Sequence, residues 1–263
     1  MILSARMEPT IEANATVVRR RDLHDGLFFL WIRPDAVPYR KFAPGQYVSI
    51  GRPEPEGGRP ILRTYSIGSC AQQREELELF VVHVDDGAFS TWLRDCRPGV
   101  RLWLSPRAQG NFTLEGTGKD TNLVLVATGT GVAPYFSMYR TFRRKPRWRR
   151  VILINGARFA NDLGYRNELE ALAARDPDFI YLPLVTRERP DSGWSGLRGR
   201  VQSVLDSETF AALTGSDLDP RTCHVFLCGN PSMVDDVEKK LAAQGFERFT
   251  GQGTGSLHLE KYW

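Results

Sequence analysis

The chain is poor in cysteine and has no long apolar run. Its four cysteines, Cys70, Cys96, Cys223 and Cys228, are scattered and form no CxxC pair. A plant-type iron–sulfur centre needs four closely spaced cysteines, so the chain carries no such cluster of its own. Cys223 and Cys228 lie five apart, but Cys228 closes a strand-like run, which places it in or beside a site rather than in a disulfide. No metal site is expected. No apolar stretch approaches the ~20 residues that cross a bilayer, and Met1–Glu8 lacks a basic-then-apolar leader pattern. A cytoplasmic protein without membrane contact is the expectation. Internal repeats and low-complexity tracts are also absent.

What is present is an ordinary globular composition. The 263 residues are 41% hydrophobic and 25% charged, enough for one large domain or two of usual size. The net charge of +4 is too mild to argue for nucleic acid. The charge is uneven, however. Arg140, Arg143, Arg144, Lys145, Arg147, Arg149 and Arg150 crowd one stretch. It reads either as a solvated helix end or as a docking patch for an acidic partner, where charge raises the encounter rate.

The first part of the chain reads as β. Short β-branched or aromatic runs fall at Val17–Arg19, Leu27–Ile32, Gln46–Ile50, Thr64–Ile67, Leu77–Val84 and Arg101–Leu104, between Gly and Pro clusters such as Pro44-Gly45, Pro53–Pro60 and Pro98-Gly99. This spacing predicts an antiparallel barrel, with one helix near Ser90–Asp95. The Gly-rich stretch Leu114–Asp120 marks a boundary, giving domains 1–116 and 117–263. Beyond it, apolar runs at Leu123–Ala127, Val151–Asn155, Ile180–Val185 and Val225–Cys228 alternate with helical patterns at Ala133–Phe142, Asn167–Ala174 and Ser232–Gln244. That alternation predicts an α/β domain with a parallel sheet covered on both faces. A last short strand is expected at Ser256–Leu259.

Two segments carry chemistry. In Arg63-Thr64-Tyr65-Ser66, alternation puts Arg63 and Tyr65 on one strand face and Thr64 and Ser66 on the other. Arg63 can hold a pyrophosphate with its planar fork. Tyr65 can lie against a flavin ring, and Ser66 can reach a ring nitrogen. An ordinary barrel strand with a surface Arg fits the same residues. Farther on, Gly87-Ala88-Phe89-Ser90 opens a helix whose N–H groups suit phosphate, or forms a turn with a capping Ser. The second segment, Thr128-Gly129-Thr130-Gly131, follows an apolar strand and opens a helix. Its glycines permit a tight turn and close approach to phosphate. It departs from the Rossmann fingerprint by having Pro134 in place of the third Gly. Arg158, Arg187 and Arg200 follow strand runs or lie beyond them, where ligands bind in open α/β sheets. Any one of them is equally a surface residue.

These segments, in this order, resemble the ferredoxin–NADP reductase family, and the likeness runs from about Thr16 to Trp263. The resemblance implies an enzyme that passes a hydride from NADPH to FAD, and then single electrons to a ferredoxin or flavodoxin. It places Tyr47, Arg63, Thr64, Tyr65, Ser66, Phe80, Val82, Ala88, Phe89, Ser90 and Thr130 around the FAD. It places Thr128, Gly129, Thr130, Gly131, Ala157, Arg158, Thr186, Arg187 and Arg200 on NADP, the arginines on its 2′-phosphate. Cys228-Gly229-Asn230-Pro231 matches the family's nicotinamide-side turn. The terminal Tyr262-Trp263 resembles the bacterial subclass with an aromatic pair, in which the Tyr covers the flavin opposite Tyr65 and the Trp stacks on the FAD adenine. Ser66, Cys228 and Tyr262 are the implied catalytic set, and a monomer is expected. A flavin reductase serving an oxygenase, free flavin or a quinone remains the alternative within enzymes. A module that kept the fold and lost catalysis is the alternative outside them.

Overall fold

A computed structural model describes residues 11–53, 61–85, 87–143, 148–251 and 255–262. Trp263, the basic residues Arg144, Lys145 and Arg147, most of the Pro53–Pro60 cluster and Met1–Glu8 lie outside the described residues. The chain divides into two compact units between Asn111 and Phe112.

The first unit comprises β1 (Ala15–His24), β2 (Leu27–Pro34), β3 (Tyr47–Gly51), β4 (Leu62–Ser66), β5 (Leu77–Val82), α1 (Ala88–Asp95) and β6 (Arg101–Leu104). The antiparallel order is β4-β3-β6-β1-β2-β5. An isolated bridge from Ile67 to Leu79 joins the two ends, with the Gly68 N–H on the Glu78 carbonyl at 2.8 Å, so the sheet closes as a barrel. Two register shifts in β1 supply curvature for that closure. Phe28, Leu30 and Ile32 fill the interior. The alternate residues Phe29 and Trp31 are buried as well. The guanidiniums of Arg21 and Arg19 lie over them at 4.5 and 3.8 Å, and Phe80 stacks on Phe29 at 4.4 Å. Hence β2 reads as a continuous apolar run rather than an alternating one.

The second unit contains β7 (Asn122–Thr128), α2 (Val132–Phe142), β8 (Arg150–Ala157), α3 (Arg166–Ala173), β9 (Phe179–Val185), β10 (Leu197–Arg198), α4 (Ser207–Thr214), β11 (Cys223–Gly229), α5 (Pro231–Ala242) and β12 (Leu257–Lys261). All the strands are parallel, in the order β10-β9-β8-β7-β11-β12. Val124, Val126, Ile152, Ile154, Val225 and Leu227 share a core with α5 and α4. Leu123, Leu125, Leu153 and Phe226 are buried too, so both faces are covered and the strand runs are apolar throughout. The chain steps outward from β7 to β10, then returns to the other side of β7 for β11 and β12. That reversal leaves a crevice beyond the carboxyl ends of β7 and β11, where ligands bind in open α/β sheets. Strand β10 and helix α4 were not anticipated. The first has two residues, and the second buries only Phe210 and Thr214.

Candidate functional site

In the first unit, β4 pairs with β3 so that Ser66 faces Tyr47 and Thr64 faces Ser49, while Tyr65 faces Val48 and Arg63 faces Ile50. Opposed residues share a sheet face. The aromatic on the Ser66 side is therefore Tyr47, whose ring rests on Gly110. A Cβ at Gly110 would fall 2.9 Å from that ring. Tyr65 packs against the barrel core, and this burial pushes its phenol well above the ordinary range. Arg63 is exposed, and its guanidinium donates to the Leu62 carbonyl at 2.8 Å. Ser66 is buried, and Thr64 is exposed.

Phe80 is buried beneath Phe29, so its ring supports β5 rather than offering a free face. Val82, two residues on, is 44% exposed. Helix α1 begins at the exposed Ala88, with Gly87 as its cap residue and no side chain capping it. Its first N–H groups therefore have no intrahelical acceptor. Phe89 turns into the barrel core. Ser90 is neither a cap nor a free donor. Its hydroxyl donates toward the carbonyls of Val84 and Gly87, both at 3.0 Å, and accepts the Val84 N–H at 3.2 Å, locking the turn before the helix.

In the second unit the turns after β7 and β11 are welded together. Gly131 needs its missing side chain, because a Cβ there would stand 2.3 Å from the Cys228 carbonyl oxygen. Gly229 has φ +136°, and a Cβ would stand 2.3 Å from Thr128 Oγ1. The Asn230 N–H donates to Thr128 Oγ1 at 3.0 Å, while the Asn230 side chain caps α5 by accepting from the Ser232 and Met233 N–H groups. Pro231 follows as the first residue of α5, where its lack of an N–H costs nothing. Gly129, at φ +56°, has open space where its side chain would be, and Thr130 is half-buried beside it. The result is a glycine-lined turn at the switch point, backed by a second turn.

Against this junction stands a group that the sequence reading did not assemble. Cys228 is fully buried, and burial holds its thiol far above the ordinary range, so it is neutral. Across the sheet register it faces Glu260 on β12, with Sγ and Oε2 3.7 Å apart. Tyr262 donates its backbone N–H to the Gly229 carbonyl at 2.9 Å, which brings the chain after β12 back to the same turn. Glu260 was missed. Its signal in the sequence was a carboxylate ending an apolar strand two residues before an aromatic.

The arginines separate into two kinds. The loops after β8 and β9 run side by side, with the Thr186 N–H on the Ala157 carbonyl at 3.1 Å and the Arg187 N–H on the Arg158 carbonyl at 2.8 Å. Arg200 begins the turn after β10, whose Gly199 N–H meets the Val185 carbonyl. Arg158, Arg187 and Arg200 are exposed at three adjacent strand ends, and none forms an ion pair among the described residues. Their neighbour Arg189 pairs with Asp191 at 2.9 Å, and Arg166 with Glu170 at 2.7 Å. In the basic stretch, Arg140 pairs with Glu168 and lies over Phe136, and Arg150 donates to the Thr214 and Gly215 carbonyls. Those two therefore serve the fold. No cluster of metal-ligating side chains exists among the described residues, and no helix among them is long and apolar enough to cross a membrane.

A closed antiparallel barrel followed by a parallel sheet with a glycine-lined turn at its switch point defines a two-domain flavin and nicotinamide oxidoreductase. Comparison with known proteins agrees. Residues 16–110 match the siderophore-interacting FAD-binding domain model and residues 125–239 the oxidoreductase NAD-binding domain model. The chain is 32% identical over 255 residues to ferredoxin–NADP reductase A of Sorangium cellulosum, covering 94% of this chain and 88% of that one. It is 30% identical over 222 residues to the flavodoxin/ferredoxin–NADP reductase of Escherichia coli, covering 84% and 86%. A crystal structure of a ferredoxin–NADP+ reductase from Neisseria gonorrhoeae with bound FAD and NADP superposes with a TM-score of 0.85 at 27% identity, covering 95% and 99%. The chain belongs to the ferredoxin–NADP reductase family.

Proposed function

We propose that this protein is an FAD-dependent reductase that moves electrons between NADPH and a ferredoxin or flavodoxin. The observation that carries the reading is the junction of the β7 and β11 turns. Two glycines allow backbone contact there that no Cβ would permit, beside Cys228, Glu260 and Tyr262.

The residues present fit both nucleotides. In the first unit, Arg63 and the uncapped start of α1 suit the FAD pyrophosphate. Tyr47, Thr64, Tyr65 and Ser66 supply its ring-side set, with Val82 and Ala88 as exposed apolar surface. Phe80, Phe89 and Ser90 hold these elements in place. In the second unit, Thr128–Gly131 offers backbone donors to the NADP pyrophosphate. Arg158, Arg187 and Arg200 offer charge to a 2′-phosphate. Ala157 and Thr186 set the loop pairing beneath the arginines.

Bound FAD supplies the redox chemistry, taking electrons as a pair and releasing them singly. The chain's own work is positioning. Cys228 stays a neutral thiol and packs as a small polarizable surface. Glu260 sits within reach of that thiol. Tyr262 is tied to Gly229 through its backbone N–H, and by the resemblance Tyr262 and Trp263 are the aromatic pair that would serve the flavin ring and the FAD adenine. The partner assignment rests on the names of the relatives, and the acidic surface expected of such a partner suits the net charge of +4.

Anaerobic stopped-flow mixing with NADPH and, separately, NADH tests the proposal through flavin absorbance. Rapid bleaching by NADPH and slow bleaching by NADH is the expected outcome, followed by reduction of added ferredoxin or flavodoxin. A colourless protein, or one that neither nucleotide bleaches, refutes it.

A further inference from the structure

We propose that Arg198 is a positioning residue that sets the preference for a 2′-phosphorylated nucleotide by pinning the loop that carries Arg187. The inference rests on the reading of Arg158, Arg187 and Arg200 as a phosphate site.

Arg198 lies on the short edge strand β10, level with Val185 at the end of β9. The residue is exposed, yet its guanidinium is engaged by backbone. Nη1 donates to the Glu188 carbonyl at 2.7 Å and Nη2 to the Arg189 carbonyl at 3.2 Å. These are the two residues immediately after Arg187. The Glu188 side chain continues the fastening, accepting the Ala160 N–H at 2.7 Å and so tying in the loop that carries Arg158. The Arg187 N–H is on the Arg158 carbonyl at 2.8 Å. All three proposed phosphate arginines thus sit on loops joined through Arg198 and Glu188, while their own side chains have no acidic partner among the described residues.

The physical consequence is preorganisation. Two adjacent carbonyls held by one planar fork fix the peptide planes next to Arg187. Without the fork those carbonyls turn to water, and ordering the loop becomes a cost of binding. A 2′-phosphate would bear that cost, because Arg187 is needed only for it. A nucleotide without the 2′-phosphate would not. Lys at position 198 offers one point donor in place of a fork and restores part of the effect.

The experiment is calorimetric titration of the FAD-loaded full chain with 2′-phospho-AMP and with 5′-AMP at two salt concentrations. It is run for wild type, Arg198→Ala, Arg198→Lys and Arg187→Ala, with KM and kcat for NADPH and NADH measured alongside. For Arg198→Ala, 2′-phospho-AMP should bind roughly fivefold more weakly, as expected for losing one or two net hydrogen bonds. Affinity for 5′-AMP should not change, the salt dependence should match wild type, and KM for NADPH should rise while kcat holds. Arg198→Lys should fall between the two. Wild-type affinity in Arg198→Ala, together with a loss in Arg187→Ala, overturns the positioning role and leaves the phosphate site standing. No loss in either variant overturns the phosphate site itself. Equal weakening of both nucleotides overturns the proposal in favour of general disorder. A flattened salt dependence in Arg198→Ala overturns it in favour of direct phosphate contact.

Discussion

Gly131→Ala is the most demanding test of the junction between the two turns. Gly131 has an ordinary helical backbone, φ −60° and ψ −10°, so alanine meets no conformational penalty there. The penalty is steric. The new Cβ would lie 2.3 Å from the Cys228 oxygen, 2.7 Å from the Cys228 carbonyl carbon and 3.0 Å from the Gly229 nitrogen. All three are backbone atoms, and no rotamer change relieves them. Restoring normal contact requires the two turns to separate by about 1 Å, and overpacking of this kind costs about 1–3 kcal/mol. The separation also moves Cys228, and with it Glu260 and Tyr262, relative to the Thr128–Gly131 turn. A misplacement of ~1 Å can cost as much as ~10²-fold in rate. We expect flavin reduction by NADPH in stopped flow to slow at least tenfold, with the FAD content of the purified protein unchanged. Gly129→Ala is the contrasting variant. Its φ of +56° makes alanine strained by about 1 kcal/mol, and the added methyl group enters open space without pressing on the second turn, so it should raise KM for NADPH by obstructing the proposed phosphate approach while the two turns stay together. Gly131→Ala protein that reduces its flavin within twofold of wild type would show that the approach of the turns does not position the reaction.

Three further outcomes are expected. Arg187→Ala should raise KM for NADPH by roughly 10- to 100-fold, the loss of a charged hydrogen bond worth ~1.5–3 kcal/mol, and leave KM for NADH nearly unchanged in steady-state assays. His258 is buried against Phe226, Phe249 and His224, and burial first, then the His224 charge, lowers its pKa to about 3. The unfolded chain therefore binds the proton that the folded chain refuses, so stability is full above pH ~6.5 and falls as pH drops toward 3, by about 2 kcal/mol at pH 5. Urea titrations of wild type and His258→Phe between pH 4 and 8 should show a flatter profile for the variant, and parallel profiles would remove His258 as the cause. Burial raises the thiols of Cys96 (to about 11), Cys223 and Cys228, while Cys70 is only half-buried. Brief iodoacetamide treatment of native protein near neutral pH should thus alkylate Cys70 alone by peptide mass spectrometry, and prompt labelling of Cys228 would contradict its burial.

Much of this protein was legible before any coordinates. The strand runs foretold a barrel followed by a parallel sheet, because burial on one face or on two leaves different patterns in a sequence. The glycine turn Thr128–Gly131 was readable because only glycine tolerates its close approaches. The motifs Arg63–Ser66 and Cys228–Pro231, taken in order, pointed to the family. Other features were read less well. Helix α4 is bracketed by Asp206, at its N-cap, and Gly215, at its C-cap, but its eight residues bury only Phe210 and Thr214, too few to leave an apolar period. Ser90 looked like a cap or a phosphate donor, yet its hydroxyl is engaged by carbonyls three and six residues earlier.

The sequence by itself determined which residue types are available and the neighbourhood in which most elements form, since propensity, periodicity and turn chemistry act over a few neighbouring positions. Only the tertiary structure decided which of the many arginines are held by acids and which are not. It alone set Glu260 beside Cys228, 32 positions apart, and turned Arg198 onto the loop that follows Arg187. Such contacts depend on strand order and register. Those are settled by the packing of whole sheet faces, which no short window of sequence contains.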